Sequence, residues 1–499
     1  MRSGQYIIAS TAKSRKKFPA PPASPQPHSY MTEQQFDLVI IGAGPGGYVT
    51  AIRAAHHGLR VALIEAFAPG GVCLHTGCIP TKTMVASVGL FRQARAAAQW
   101  GVHIAQAEAQ LSAIRTRRHK VVEQLAKGVQ MLLAKNAVTL FSGVGTFRDN
   151  RSVEVHNAAG DLIAILSATR AMVIATGSRP ADLEIAPRDG QSILNSDDLL
   201  ELAELPATLL ILGGGYIGCE FASIFSALGS KVIIVEAADR LLPGMDRDLG
   251  AALLRSFKTA GIAVHLGQTA SSSRINAGVE LTLADGKTFS GDKLLVAVGR
   301  ISNTESLGLD KAAVALEGRN IRVTDSMETS TPNIYAVGDV TGKMALAHVA
   351  TAQGRVVIEN LLAQAAARQT MNYDQIPAAV FTHPEIATVG LTEEEATRRG
   401  LSIRVGRFPF AAIGKALAAG ETEGFVKLIA DAETGKMLGG HIIGGHASEL
   451  IGQITLAVKL GATAQQLTET VFAHPTLSEA ILEAAEGVFH RPTHSTTRA

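Results

Sequence analysis

The chain has 499 residues, with 46 lysines and arginines against 44 acids and a formal net charge of +2. That balance gives no electrostatic case for a nucleic-acid or membrane-surface partner, and no apolar run reaches the roughly twenty residues needed to span a bilayer. Three cysteines exclude a secreted disulfide framework. The 49 glycines, about a tenth of the chain, point to backbone that approaches a ligand closely.

Residues 1–35 read as a disordered leader or a transit peptide, outside the fold. Arg2, Lys13, Arg15, Lys16 and Lys17 occur there with no acid before a cluster of prolines. The plainer reading takes Met31 as the working start of a cytoplasmic protein; a cleaved leader would place it in the mitochondrial matrix.

From Phe36, FDLVIIGAGPGGYVTAIRAAHHGLRVALIEA reads as strand, glycine turn, helix and strand, ending on Glu65. Such a βαβ unit implies a parallel sheet. Gly42, Gly44 and Gly47 form a G-x-G-x-x-G that is weak evidence alone but apt between a strand and a helix. Bare backbone N–H groups and the positive helix end can meet a pyrophosphate, and the strand-terminal acid can accept from ribose hydroxyls.

GGVCLHTGCIPTK follows, placing Cys73 and Cys78 five apart. In a straight helix they would be separated by about 7.5 Å along the axis, too far for an unstrained disulfide. Gly77 can supply the distortion that lets them close a ring. Pro80 suits a helix's first turn, so Cys78 would lie at the positive helix end that stabilises a thiolate. Zinc is the rival reading, but it wants further ligands at short spacing. Only His75 is near, and Cys219 lies far along the chain, so we expect a redox pair and no metal.

ATLLILGGGYIGCEFASIFSALGSKVIIVEAADR repeats the βαβ pattern with Gly213, Gly215 and Gly218, its second strand running to Glu236. Two dinucleotides should therefore bind. Glu236 favours NAD, since an acid there repels a 2′-phosphate that arginine would welcome; Arg240 is the one competing signal. Near the C-terminus His474 precedes Pro475, which suits a helix start, and Glu479 follows five positions on. A carboxylate-oriented histidine fits a general base, although by itself His474 reads rather as a cap or structural histidine, and only the cysteine pair and the family pattern below turn the reading to a base. His383 reads as structural, and residues 491–499 read as a flexible tail.

Together GAGPGG, GGVCLHTGCIPTK, GGGYIGCE, AVGR, YAVGD and AHPTLSEA resemble the pyridine nucleotide–disulfide oxidoreductases, in order, from about Phe36 to Phe489. The similarity is strongest to the members that reoxidise lipoyl groups of 2-oxo acid dehydrogenase complexes. It implies an α/β fold of two Rossmann-like dinucleotide-binding domains plus a C-terminal α+β dimerisation domain. The divisions expected are FAD-binding 36–180, NAD-binding 181–300, a second FAD-binding or central part 301–372, and dimerisation 373–490.

The resemblance also implies roles. FAD would be held by Gly42, Gly44, Gly47 and Glu65, with Lys82 beside the flavin and paired with Glu220. Further flavin-side contacts would be Gly145, Ala175, Thr176, Gly177 and Asp339, then Ala345, Leu346, Ala347 and His348 at a helix start. Asp339 could instead be a helix N-cap, or serve both purposes. The NAD side would comprise Gly213, Gly215, Tyr216, Ile217, Gly218, Glu220, Glu236 and Gly299. Cys73 would be the outer sulfur and Cys78 the flavin-side one, with His474 and Glu479 acting across a homodimer. Between the cysteines the family usually has leucine-asparagine-valine-glycine; His75 and Thr76 depart from that. Glutathione-reductase-like and mercuric-reductase-like chemistries are the alternatives. The first would prefer NADP-binding arginines and the second a C-terminal cysteine pair, which this chain lacks.

Overall fold

The computed structural model describes residues 33–363 and 368–494, so the expected leader up to residue 32 and the last five residues of the expected tail lie outside it. Strand Gln34–Ile41 carries a run of β-branched and leucine side chains that is buried on both faces, as a central parallel strand requires. It pairs in parallel with Val61–Glu65, Leu38 opposite Val61, and on its other side with Leu162–Ile174. Thr139–Ser142 and Ile334–Ala336 extend the parallel part, and Ser152–His156 and Val144–Phe147 add an antiparallel edge. The strand at 334–336 returns to this sheet only after the whole second βαβ unit has been inserted.

Helix α1 (Pro45–His56) links the first two parallel strands. The chain then forms α2 (Gly71–His75), α3 (Cys78–Ala96) and the long α4 (Leu111–Lys135) before the sheet resumes. Strand 193–194 and α5 (Ser196–Leu200) open the second unit, which builds a wholly parallel sheet in the order 263–265, 231–235, 208–212, 293–296, 193–194. Helices α6 (Tyr216–Leu228) and α7 (Arg247–Thr259) belong to it.

Helix α8 (Ala347–Leu362) leads to the C-terminal part, a five-stranded antiparallel sheet with α9 (Glu393–Arg398), α10 (Gly414–Ala419), α11 (Ala447–Leu460), α12 (Ala464–Thr468) and α13 (Glu479–Gly487). Its core joins Phe408, Val426, Leu428 and Ile442 to Ile454, Ile481 and Ala484. This is the expected α/β class with an α+β C-terminal domain.

Two local expectations need correction. The helix expected to start at Pro475 begins at Glu479, with Ser478 at its N-cap, because Thr476 turns back to donate its amide to Glu479. The expected loose tail is tied down as far as His494: the amides of Thr493 and His494 donate to the buried Glu483 carboxylate, and the His494 ring meets it at 2.6 Å. Among the described residues no helix is long and apolar enough to cross a membrane.

Candidate active site

The cysteine pair sits at a break between two helices. Gly77, at φ −130° and ψ −109°, caps α3, and a Cβ there would meet the Val72 carbonyl oxygen at 2.9 Å. The distortion therefore needs glycine for space. Cys73 lies in α2 and Cys78 is the first residue of α3, with Pro80 in the same first turn. His75 bonds the Pro69 carbonyl through Nε2 at 3.0 Å. Burial raises the Asp197 carboxyl above its ordinary range, against the pull of Arg300.

The two thiols are unlike. The neighbouring Cys78 sulfur, together with burial, pushes the Cys73 thiol far up. Cys73 in turn, helped by the Lys82 ammonium and opposed by burial and Glu220, lowers Cys78 to about 7. One sulfur is thus held as a thiol and the other as a ready thiolate.

Lys82 lies one turn beyond Cys78. Its Nζ is 2.9 Å from both oxygens of Glu220, which is buried on α6, and it stands over the Phe381 ring. The Phe381 amide donates to the same carboxylate. Glu220 therefore belongs to the second unit's helix by chain but meets the dithiol's helix through Lys82. Phe381 was invisible in the sequence because nothing local distinguishes it.

Asp339 accepts from the Ser178 hydroxyl at 2.5 Å, and Arg300 donates to the Ser178 hydroxyl and carbonyl at 2.7 and 2.8 Å. Its cap alternative fails, since Gly338 holds the N-cap of the short turn Asp339–Thr341. Arg300 is the last residue of AVGR, and that adjacency was the one available signal for it. Ala345 to His348 do straddle the start of α8, and His348 Nε2 bonds the Pro377 carbonyl at 2.7 Å.

His474 Nδ1 bonds Glu479 at 2.8 Å, and the Thr476 amide holds the other carboxylate oxygen at 2.9 Å. Burial raises Glu479, but these donors outweigh it and hold the carboxyl below its usual range. The His474 side chain is 78% exposed in the single chain, and no described hydrogen bond joins it to either cysteine. His383, by contrast, is lowered by burial beside Arg92, as suits a structural residue. No group of three metal-ligating side chains occurs among the described residues.

Residues 36–354 match the family model of pyridine nucleotide-disulphide oxidoreductases, and residues 376–485 match that family's dimerisation domain. The chain belongs to this family. A dihydrolipoyl dehydrogenase of Chlamydia muridarum is 42% identical over 92% of this chain and 98% of its own length. One from Bacillus subtilis is 39% identical over 90% and 97%. Among solved structures, LpdA from Mycobacterium tuberculosis matches with a TM-score of 0.85 at 31% identity, covering 91% of this chain and 99% of that one. The HOCl-induced flavoprotein disulfide reductase RclA of Escherichia coli, as its Cu(II) complex, matches at 0.82 and 31%, covering 91% and 99%.

This family member is an oxidoreductase that uses FAD and NAD. Its dimerisation domain makes it a homodimer. The glycine turns fit both cofactors. Gly42 (φ +98°) and Gly213 (φ +111°) lie under the Ala175 and Ala297 carbonyls, where a Cβ would meet oxygen at 2.4 Å. Gly47 and Gly218 press on the Gly42 and Gly213 carbonyls. Gly44 and Gly215 cap α1 and α6 with no side-chain bond, leaving amides for a pyrophosphate. Tyr216 and Ile217 open α6, Tyr216 facing outward.

Glu65 takes the Ala43 and Phe67 amides, and Glu236 those of Gly214 and Ala238, so each carboxylate stands beside its glycine turn. Thr176 is locked to Asn303, while Gly177 and Gly299 are in positive-φ backbone with open space where a Cβ would point. Gly145 differs, because a Cβ there would meet Ile41 and Ile64 at 3.2 Å; its glycine answers to core packing.

Proposed function

We propose that this enzyme oxidises dihydrolipoyl groups to lipoyl disulfides and reduces NAD+, serving the lipoyl domains of a 2-oxo acid dehydrogenase complex. The observation that carries the reading is the dithiol at a helix break, Cys73 on α2 and Cys78 opening α3, with the Lys82–Glu220 pair one turn on. His474 Nε2, its ring oriented by Glu479 at Nδ1, takes the proton of the first substrate thiol. That thiolate attacks Cys73 Sγ of the oxidised pair; the Cys73–Cys78 bond breaks and Cys78 leaves as thiolate. The helix end and Lys82 stabilise that leaving group and so speed exchange. The second substrate thiol attacks the substrate sulfur of the mixed disulfide, and Cys73 is released and takes up a proton. Bound FAD would receive the electron pair of the reduced dithiol and deliver it as hydride to NAD+. Gly42, Gly44, Gly47 and Glu65 would hold its ADP part.

His474 is assigned to the dithiol of the partner subunit, which its exposure in the single chain favours. The divisions at 180/181, 300/301 and 372/373 are kept. The return of strand Ile334–Ala336 to the first sheet supports a split FAD-binding part. An exchange-active pair without a disulfide framework suits a reducing compartment, and we place the protein in the cytoplasm, or in the mitochondrial matrix if residues 1–30 are a transit peptide. The test is steady-state turnover of the FAD-loaded dimer. Dihydrolipoamide with NAD+ should be the efficient pair, and efficient NADPH-driven reduction of glutathione disulfide with no lipoamide turnover would overturn the reading.

A further inference from the structure

Arg240, the one sequence signal against NAD, is not free. Its Nη1 and Nη2 donate to the two oxygens of Glu394 at 2.7 and 2.9 Å, and Nη2 also reaches the Pro243 carbonyl at 3.2 Å. Such a two-pronged guanidinium–carboxylate pair uses the face that would otherwise grip a phosphate. Glu394 comes from the first turn of α9, in the dimerisation domain, 154 residues along the chain.

Arg240 rides on the loop that carries Glu236. The Ala238 amide donates to Glu236, and the Leu242 amide donates to the Gly214 carbonyl of the glycine turn. The loop is thereby pinned beside the site expected for the adenosine ribose. Its other acids are already committed: Asp239 pairs with Arg247 at 3.1 Å, and Asp246 holds the buried Lys427 at 2.9 Å. Asp239 and Asp246 act on Arg240 only through charge, and Glu394 is the carboxylate that its guanidinium bonds.

We propose that Glu394 is a cofactor-selecting residue: by occupying Arg240 it withholds a guanidinium from an adenosine 2′-phosphate. The inference rests on the reading of Glu236 as the ribose acceptor. Selection for NAD is then exerted twice, by the charge of Glu236 on the glycine-turn domain and by Glu394 from the dimerisation domain. The contact between the two domains does not depend on Glu394, because Lys427 of the dimerisation domain also binds Asp246 and Asp248.

The test is calorimetric titration of the FAD-loaded dimer with adenosine 2′,5′-bisphosphate and with 5′-AMP. Wild type should prefer 5′-AMP. E394Q should shift the ratio toward the bisphosphate by about tenfold, the worth of one charged hydrogen bond. E394Q/R240Q should return it to the wild-type value, and R240Q alone should leave it there. An unshifted ratio in folded E394Q, or a shift that survives the double substitution, overturns the inference while leaving NAD preference intact. Wild type preferring the bisphosphate would overturn the Glu236 reading and this inference with it.

Discussion

The two strand–glycine–helix units match at the turn and part company along the helix. In each, the first glycine lies under the carbonyl that follows a neighbouring strand, the third presses on the first, and a strand-end glutamate takes the next amide. Beyond that, α1 spends its inner face on close packing: Gly46 meets Ala350, and a Cβ at Gly354 would strike the Thr50 hydroxyl. Helix α6 instead carries Glu220 out to Lys82, and with it a charge to the dithiol. The phosphate-facing turn is a common solution to one steric problem. What the helix does one turn later is free to differ, and here that difference brings the second unit to the chemistry.

If the dithiol is the meeting point of the two units, removing it has the largest effect. Cys73→Ser and Cys78→Ser should both fall to background with dihydrolipoamide. Upon partial reduction the long-wavelength absorption of thiolate against oxidised flavin should vanish only in Cys78→Ser. The opposite assignment would reverse the order of the sulfurs.

The base proposed here comes from neither unit, and His474→Ala should lose about 10²–10⁴-fold in kcat. Refolding Cys73→Ser and His474→Ala chains together at random gives about half mixed dimers, each with one intact site in two. Roughly a quarter of wild-type activity should return if sites are uncoupled. Proven mixed dimers with no recovery would place His474 at its own subunit's cysteines.

Glu65 and Glu236 sharpen the likeness of the turns. Glu236→Gln should raise the KM for NAD by about ten- to a hundredfold through a lost charged acceptor, and should improve NADP relative to NAD. An unchanged preference would remove Glu236 from the ribose site.

The difference between the helices is read most finely at Cys78. Because Glu220 raises and Lys82 lowers this thiol, Glu220→Gln should move the thiolate midpoint of the reduced enzyme below about 7, and Lys82→Met should move it up. Ultraviolet thiolate absorbance against pH measures both. A thiol lowered by folding adds stability that is fully present above its unfolded value of about 9 and is lost as pH falls through about 7. Reduced wild type should therefore lose that margin between pH 9 and 7, and Cys78→Ser should not.

The sequence by itself determined the two glycine turns, their strand-end acids, the redox pair at a helix start and the histidine–glutamate dyad. Each is a pattern within a few residues, where chain geometry leaves little choice. Only the tertiary structure decided which partners several charged side chains take: Asp339 with Ser178 across 161 residues, Arg240 with Glu394 across 154, and Lys427 with Asp246 across 181. It also set the start of α13 and tied the chain down as far as His494. These depend on how separately folded layers come to rest on one another. A local stretch carries no record of that, because a buried charge is stable beside any correctly placed opposite charge, wherever in the chain it comes from.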